Sequence, residues 1–428
     1  MKSFKLNFFV LYLAISPVLL ISTNLYAQTE SCGVHEPQQL IVTPSGAKPG
    51  RVVAVENDIA IVADSFLWDK QVSIYRIIDG HWTLEQYLPN PPSAINFANA
   101  VCINSGRIFV AAKSAQNEPG INEGAVFVYE HNGTEWGLTQ RVNLTAPSTP
   151  LLGEFGQAID ATDEHLVVGS RAHVFFYKRN GDQWDYVQSF GGTAGIHWPG
   201  SSVAVHGNTA VLAKHHNSSP SETTIDIWTN NGSAWTLSEQ IPTNSIEYVD
   251  YDGTYIVAHN SNRNAALIYN WTGAVWRLRP TPQIGWGIMG NQSQAVLQYP
   301  YVILASAENN EAVVYKHDDN QFNWEVVRRI PGTDFNLTEL GSSVGMHNNT
   351  IIIADELRNA PVITTIQCLP CPTDLNQNSI ADLEDIFIFY FSLFLKEDPS
   401  ADFNSDGDLD FFDISTFLAA YSAGCPSF

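Results

Sequence analysis

The chain has 428 residues, 44% of them hydrophobic and 11% aromatic, which is enough for a well-packed core in more than one domain. Its 44 acidic residues against 21 basic ones give a formal net charge of −23. A surface this negative excludes nucleic acid and anionic lipid as natural partners.

The first residues have the pattern of an export signal. Two lysines precede an apolar run from Phe8 to Ile21, and a short polar stretch then ends in "LYA" at Ala27. This order predicts a signal peptide over residues 1–27. The apolar run is shorter than a membrane-spanning helix requires, so no membrane span is predicted. The mature chain is therefore expected to be secreted, extracellular or attached to a cell surface, under oxidising conditions.

A short apolar strand that ends in a small residue recurs seven times between Val52 and Cys368. The small residues are Ala63, Ala111, Gly169, Ala213, Ala258, Ala305 and Ala354. Repeats of this length in a β-rich chain indicate the blades of a propeller. The fold class predicted for residues 28–368 is therefore an all-β, seven-bladed β-propeller.

A second strand with an aromatic residue follows each copy, and six copies continue into a strand that starts with Trp. These residues are Trp82, Trp136, Trp184, Trp235, Trp276 and Trp324. The seventh copy has no such strand, whereas the mature N-terminus has a strand-like segment with no blade in front of it. We expect Gln39–Thr43 to pair with Val362–Cys368, because this closes the ring and removes exposed sheet edges.

Near the C-terminus a twelve-residue acidic pattern occurs twice, as "DLNQNSIADLED" from Asp374 and "DFNSDGDLDFFD" from Asp402. Side-chain oxygens at positions 1, 3, 5, 9 and 12 and a backbone carbonyl at position 7 match a calcium-binding loop. Gly407 suits the tight turn of loop two, but Ser379 takes that place in loop one, which should bind more weakly. The predicted ligands of two Ca²⁺ ions are Asp374, Asn376, Asn378, Ile380, Asp382 and Asp385 in loop one, and Asp402, Asn404, Asp406, Asp408, Asp410 and Asp413 in loop two.

The segment after loop one, Ile386–Leu395, is predicted to be a helix that is apolar on every side and too short to span a bilayer. One face can pack on the helix predicted at Asp413–Tyr421. The other face needs a cover, which is either the propeller or another protein. The residues assigned to that second, docking interpretation are Phe387, Phe391, Phe394, Phe411 and Phe412.

Two resemblances to known families follow from these motifs. Segments such as "LGEFGQAIDATDEHLVVGS", with Phe155-Gly156, resemble the FG-GAP repeats of integrin-type β-propellers. The segment from Cys371, which ends in "GCP", resembles the dockerin module of secreted bacterial proteins. This second resemblance implies a calcium-folded domain over residues 369–428 that docks into a receptor, usually a cohesin. Leu383-Glu384 and Phe411-Phe412 replace the Ser-Thr type of pair that cellulosomal dockerins carry at loop positions 10 and 11, so the receptor is cohesin-like or another surface protein.

Five cysteines leave one unpaired if the rest form disulfides. We expect Cys371 to pair with Cys425, clasping the ends of the dockerin, and Cys32 to pair with Cys368, fixing the closing strand. Cys102 lies in a predicted inner strand and is expected to be a buried apolar residue.

No catalytic residue is predicted in the propeller. Its innermost strands are small and apolar apart from Asp160 and Asp250. The loops between blades hold Glu154, His197, Trp198 and Trp286, which suit sugar or peptide binding or else packing at blade junctions. The adjacent His215-His216 pair could bind a metal, but it is expected in a surface loop.

Two functions remain from the sequence. The first is a secreted, non-catalytic binding or display protein, with a propeller for protein or glycan and a calcium-dependent dockerin for attachment. The alternative is an extracellular polysaccharide-degrading lyase or glycosidase that carries a dockerin.

Overall fold

The structure is a computed structural model of the full chain. It describes residues 28–29, 31–34, 37–40, 52–63, 71–118, 121–144, 154–191, 197–216, 223–244, 246–260, 266–280, 282, 293–318, 323–355, 361–369, 373, 375, 380–381, 383–395, 403 and 409–423. These residues belong to two compact units, one within Val34–Ile366 and one that combines residues from 1–33 with residues from 367–428. The predicted signal peptide, residues 1–27, lies outside the described residues.

The larger unit is a seven-bladed β-propeller, as predicted, and its strands follow one another along the chain in antiparallel sheets. Blade 1 contains Val52–Glu56, Ile59–Ala63, Gln71–Ile78 and His81–Pro89; blade 2 contains Phe97–Asn104, Arg107–Ala112, Ala125–His131 and Trp136–Asn143; blade 3 contains Ala158–Ala161, His165–Gly169, His173–Asn180 and Gln183–Gly191. Blade 4 contains His197–His206, Thr209–His216, Thr223–Asn230 and Trp235–Thr243; blade 5 contains Ile246–Tyr251, Tyr255–Asn260, Ala266–Trp271 and Trp276–Leu278; blade 6 contains Ser293–Gln298, Tyr301–Ser306, Glu311–Asp318 and Asn323–Pro331.

Blade 7 combines the two ends of the propeller sequence. Its strands are Leu340–His347, Thr350–Asp355 and Val362–Leu369, and both Ser31–Val34 and Gln38–Gln39 neighbour the last of these. Gln39 pairs with Val362, which confirms that part of the predicted closure, whereas residues 41–43 lie outside the described residues. The innermost strand of blade 7 lies beside that of blade 1, so the ring is closed. Three further short elements are the hairpin strands Gln116–Glu118 and Ile121–Asn122 and the 3₁₀ helix Gly332–Phe335.

The position of each strand in its blade explains its burial. The second strand of blade 1, Ile59–Ala63, is buried at every residue, because neighbouring blades cover both of its faces. The outermost strand, His81–Pro89, alternates between more and less exposed residues, because only one of its faces is covered. Apolar clusters of this kind, each built from two adjacent blades, form the core of the propeller.

One residue of the repeat is placed differently from the sequence prediction. In blades 1, 2, 3, 4 and 6 the small residue at the end of the second strand pairs with the residue three positions before the aromatic of the third strand. In blade 5 the corresponding residue of the third strand is Ala266. It pairs with His259, and Ala258 lies one residue earlier in the second strand. The prediction that Ala258 is the small residue of blade 5 is therefore wrong, and a fully buried histidine takes its place.

The second compact unit, which we call the two-helix unit, contains residues from 28–33 and 367–428. Its helices are α1 (Leu383–Leu395) and α2 (Phe411–Ala423), and its short strands Gln28–Thr29 and Ile380–Ala381 pair antiparallel. The two acidic loops are offset by 28 residues, and each helix begins at the tenth position of its loop. No helix among the described residues is long and apolar enough to cross a membrane.

Equivalent side chains of the two copies pack against each other in the core of the two-helix unit. Phe389 in α1 and Phe417 in α2 occupy the same place in the two copies, and their rings stack with centroids 4.1 Å apart at an angle of 3°. Phe403, from loop two, packs edge-on against both rings. The predicted packing of the Phe389 face of α1 on α2 is therefore confirmed.

Candidate functional site

Three of the predicted calcium ligands have side chains among the described residues: Asp385, Asp410 and Asp413. Ile380, whose carbonyl is the predicted ligand, is described only as a backbone position in the short strand Ile380–Ala381. The remaining predicted ligands lie outside the described residues: Asp374, Asn376, Asn378, Asp382, Asp402, Asn404, Asp406 and Asp408. Within the described part of the chain, no group of three or more His, Cys, Asp or Glu residues could hold a metal ion.

The last carboxylate of each loop makes the same contact in both copies. Asp385 and Asp413 are fully buried. The backbone N–H of Leu375 donates to Asp385 Oδ1 at 2.8 Å, and the N–H of Phe403 donates to Asp413 Oδ1 at 2.8 Å. In each loop, position 12 thus accepts a hydrogen bond from position 2, which brings the two ends of the loop together.

Loop two has two further bonds near its C-terminal end. The N–H of Asp410 donates to Asp413 Oδ2 at 2.8 Å, and the N–H of Phe412 donates to Asp410 Oδ1 at 2.7 Å. A carboxylate oxygen has two lone pairs, so it can accept an N–H and bind a cation at the same time. A donor set made only of oxygen suits a hard ion such as Ca²⁺, so the residues present fit the predicted group.

Four of the five phenylalanines assigned to docking have described side chains, and all four are exposed. Phe387 and Phe391, one helical turn apart on α1, are 50% and 54% exposed, and Phe411 and Phe412 at the start of α2 are 72% and 64% exposed. The side chain of Phe394 lies outside the described residues.

The predicted disulfides involve side chains that the structure does not describe. Cys32 and Cys368 lie on neighbouring strands of one sheet, and the bridge between them stays a prediction. Cys371 and Cys425 lie outside the described residues. Cys102 is a free thiol that is only 8% exposed, as expected, and burial raises the pKa of this thiol.

The predicted ligand-binding residues of the propeller lie near the starts of innermost strands. Glu154 precedes the innermost strand of blade 3 and has a backbone φ of 72°. His197 and Trp198 begin the innermost strand of blade 4, where they pair with His216 and His215. The two histidines therefore lie in a strand, and their predicted placement in a surface loop is wrong. Trp286 lies outside the described residues.

Asp160 and Asp250 are half-buried, and each joins two blades. The N–H of Val205 in blade 4 donates to Asp160 Oδ2 at 2.7 Å, and the N–H of Ala161 donates to Asp160 Oδ1 at 2.9 Å. Similarly, the N–H of Leu297 in blade 6 donates to Asp250 Oδ2 at 2.9 Å. Both aspartates thus fix the innermost strand of the next blade.

Burial raises the pKa of Asp160 to about 7, and the Asp250 carboxylate adds to this shift, whereas the hydrogen bonds from Val205 and Ala161 oppose it. Burial likewise raises the pKa of Asp250 to about 6, against the hydrogen bonds from Leu297 and Tyr251. Tyr248 has a raised pKa through burial first and then through the negative charges of Asp250 and Asp160. These three side chains therefore share one electrostatic environment.

The two aspartates belong to a wider row of contacts between adjacent blades. An innermost strand pairs with only one neighbour in its own sheet, so the N–H groups on its other edge need partners. Side chains of the preceding blade accept these N–H groups. The pairs are Ser105 with Glu56, Val249 with Ser202, Tyr299 with Asp252, Val344 with Gln294, Val53 with Ser343 and Asn57 with His347. The sequence signal for this row is a polar residue in an otherwise apolar strand.

A second set of contacts joins the outermost strands. In blades 1, 2 and 3 the residue four positions after the Trp of the outermost strand is a Gln. Its side-chain amide contacts the backbone of the Trp in the next blade. Gln140, for example, accepts from the Trp184 N–H at 2.8 Å and donates to the Trp184 carbonyl at 3.3 Å. Gln86 and Gln188 make the same pair of bonds with Trp136 and Trp235. The repeated Trp-x-x-x-Gln spacing therefore records contacts between blades.

His259 is a buried polar residue that the sequence analysis missed. It has no exposed surface, and neither ring nitrogen has a hydrogen-bond partner among the described residues. Burial lowers its pKa to about 4, so the ring is neutral at ordinary pH. The signal that could have revealed it is a histidine directly after Ala258, at the end of an otherwise apolar strand.

No known protein family matches the sequence, and no curated protein matches it. Many solved structures match its fold. A protein from Lactobacillus plantarum is 14% identical, with 72% of this chain and 96% of that chain covered and a TM-score of 0.50. Candidate 6-phosphogluconolactonases from Bacteroides fragilis and Bacteroides uniformis are 10% and 11% identical, with TM-scores of 0.50 and 0.51. They cover 71% and 66% of this chain and 94% and 85% of their own. At these identities the similarity shows the propeller fold alone.

Proposed function

We propose that the protein is a secreted, non-catalytic binding or display protein whose C-terminal unit attaches it to a receptor when calcium is bound. The observation that carries this proposal is the repeated contact of Asp385 with Leu375 and of Asp413 with Phe403. The same bond at the same two loop positions, followed by a helix that starts at the same position, supports a duplicated calcium loop of the dockerin type.

Calcium supplies the positive charge that allows the carboxylates of each loop to lie close together. Asp385 and Asp413 hold the loop ends near the start of α1 and α2, and the stacked Phe389 and Phe417 hold the two copies together. Without the ion the carboxylates repel one another, and a unit with so small a core has little else to stabilise it.

The exposed phenylalanines of the two-helix unit are the surface that we assign to the receptor. Phe387, Phe391, Phe411 and Phe412 present large apolar area that costs free energy when it faces water. Aromatic residues of this kind are the usual anchors of protein interfaces. A cohesin-like domain or another surface receptor is the proposed partner.

The role proposed for the propeller is a rigid platform that binds protein or glycan. Its innermost strands are joined by hydrogen bonds from blade to blade, and its apolar clusters extend across blade boundaries. Such a body can present loops without changing shape.

The test uses the full-length protein with calcium and with a chelator. We expect the helical signal in circular dichroism to fall in chelator, and binding to a cell-envelope fraction to be lost with it. All eleven Trp residues lie between Trp68 and Trp324, so Trp fluorescence reports the propeller alone and should not change. Equal helicity and equal capture with and without calcium would refute the proposal.

Matched variants compare the two loops. Replacing Asp402 and Asp413 with Ala should abolish the calcium-dependent helical signal and receptor binding. The same changes at Asp374 and Asp385 should do less, because Ser379 already weakens loop one. A larger loss from the loop-one changes would contradict the proposed ranking.

One observation favours the enzyme alternative. Asp160, with a pKa of about 7, could act as a general acid at neutral pH, as polysaccharide-cleaving enzymes require. A screen of polysaccharides with the wild-type protein tests this function. Turnover that disappears in Asp160→Asn and Asp250→Asn variants that still fold would support it, and the absence of turnover on every polysaccharide would leave the binding function as the better proposal.

A further inference from the structure

Blade 4 differs from the other blades in the length of its first two strands. In the other six blades, as far as the structure describes them, the second strand ends no more than one residue after the repeated small residue, whose position His259 takes in blade 5. In blade 4 the small residue is Ala213, and the strand Thr209–His216 continues for three residues beyond it. The innermost strand His197–His206 is likewise longer than the innermost strands described in the other blades.

The extended end of these two strands carries three histidines. His215 and His216 end the second strand, and His197 begins the innermost strand, followed by Trp198. His197 pairs directly with His216, and Trp198 pairs directly with His215. The register shifts only after these two pairs, between Trp198 and Ser202, so the pairs are consecutive. Three of the twelve histidines of the chain therefore meet at one end of blade 4.

The register decides which of the three histidines share a face of the sheet. Residues directly opposite each other in an antiparallel pair share a face, and their Cβ atoms are roughly 4.5 to 5.5 Å apart. Neighbours along one strand belong to opposite faces. The sequence neighbours His215 and His216 are therefore unsuited to hold one ion together, because the loop predicted for them is a strand. His197 and His216 share one face, and His215 belongs to the other.

The chemistry of two opposed imidazoles is that of a metal site. A neutral imidazole nitrogen is a good ligand for divalent transition metals such as Zn²⁺ and Cu²⁺. Metal–nitrogen bonds of about 2.0 to 2.1 Å place the two ligand atoms roughly 3 Å apart, which residues with the Cβ spacing of a cross-strand pair can reach. The net charge of −23 also attracts cations to the protein.

From these observations we propose that His197 and His216 form a cross-strand site for a divalent transition-metal ion, Zn²⁺ or Cu²⁺. The ion ties the innermost strand of blade 4 to its second strand at their extended end. Two protein ligands leave coordination positions for water or for a group of another molecule. The site belongs to the propeller and does not depend on the calcium-binding function proposed for the two-helix unit.

The experiment is calorimetric titration of Zn²⁺ into the full-length protein, with calcium present in excess to occupy the acidic loops. The changes His197→Gln and His216→Gln should each weaken the tightest Zn²⁺ site at least about tenfold, because a single imidazole then replaces a chelating pair. Unchanged affinity in both variants would overturn the proposal.

The matched control is His215→Gln. It removes the sequence neighbour of His216, in the same strand but on the other face, and should leave the Zn²⁺ affinity unchanged. If His215→Gln weakened binding as much as His216→Gln, the assignment to the cross-strand pair would be refuted, since the strand register could not then explain the site.

A measurement on the wild-type protein keeps the proposal testable if a variant fails to fold. Cu²⁺ added at less than one equivalent occupies the tightest site, and electron paramagnetic resonance then reports the nitrogen atoms bound to it. We expect the signature of two imidazole nitrogens in the wild-type protein and in His215→Gln. A spectrum with one imidazole nitrogen or with oxygen ligands alone would overturn the proposal.

Discussion

The carboxyl of Asp160 should make the stability of the propeller depend on pH, and an Asp160→Asn variant tests this expectation. The carboxyl is half-buried in the innermost strand of blade 3, and burial raises its pKa from 3.8 to about 7. Because the folded state holds the proton more tightly than the unfolded state, the stabilisation is complete below pH 3.8. It is lost as the pH rises through about 7.

The size of the effect follows from the two pKa values. Proton linkage gives a loss of about 2.5 kcal/mol in the free energy of unfolding between about pH 5 and pH 8 for a group with this shift. The Asn side chain does not titrate in this range, and it keeps one oxygen to accept an N–H from Val205 or Ala161. The stability difference between the wild-type protein and Asp160→Asn should therefore fall by about 2 to 3 kcal/mol over that interval.

The assay is urea unfolding followed by Trp fluorescence at several pH values, with calcium present throughout. His259 also titrates, but it contributes equally to both proteins and cancels in the difference. Asp250 is coupled to Asp160 through its charge, so the change in its titration is part of the measured difference. Asp182→Asn is the control, since its carboxylate is 84% exposed and should give a flat difference. A flat difference for Asp160→Asn, within about 0.5 kcal/mol, would refute the claim that burial raises this pKa.

Three further predictions concern the contacts between blades and the buried thiol. In a urea titration, the change Gln140→Ala should lower the free energy of unfolding by about 1 to 3 kcal/mol, because the N–H and the carbonyl of Trp184 both lose their partner. The control Gln140→Glu keeps the acceptor and should lower the free energy of unfolding by less. Gly169→Ala should cost about 1 to 3 kcal/mol, because the added Cβ would collide with the Gly200 carbonyl oxygen of the next blade, and an unchanged melting temperature would show that the blades separate easily. Cys102 should react with iodoacetamide only after unfolding, because burial both shields the thiol and raises its pKa, and fast labelling of the native protein would contradict its burial.

The sequence by itself determined the seven-bladed fold and the closure of the ring by a segment that includes Gln39 against the strand that begins at Val362. The strand pattern was sufficient because every blade repeats the same burial. Its second strand is covered on both faces, and its outermost strand is covered on one. The repeated acidic loops likewise predicted a helix after each loop, with the Phe389 face of the first helix packed on the second. Periodic patterns of this kind are local, and they can be read without knowing which residues meet in space.

Only the tertiary structure showed which residues of neighbouring blades contact one another. Asp160 appeared in the sequence as an isolated polar residue of an inner strand, and its partner Val205 lies in another blade, so neither the bond nor the raised pKa could be predicted. The place of His259 depended on the pairing register of blade 5, which a row of small residues does not fix. One cavity is lined by residues 104–105, 162–165 and 205–208, which are far apart in the chain and meet only in the folded ring. Hydrogen bonds and burial across blade boundaries depend on distances between strands that are remote in sequence, and the order of residues along each strand does not contain those distances.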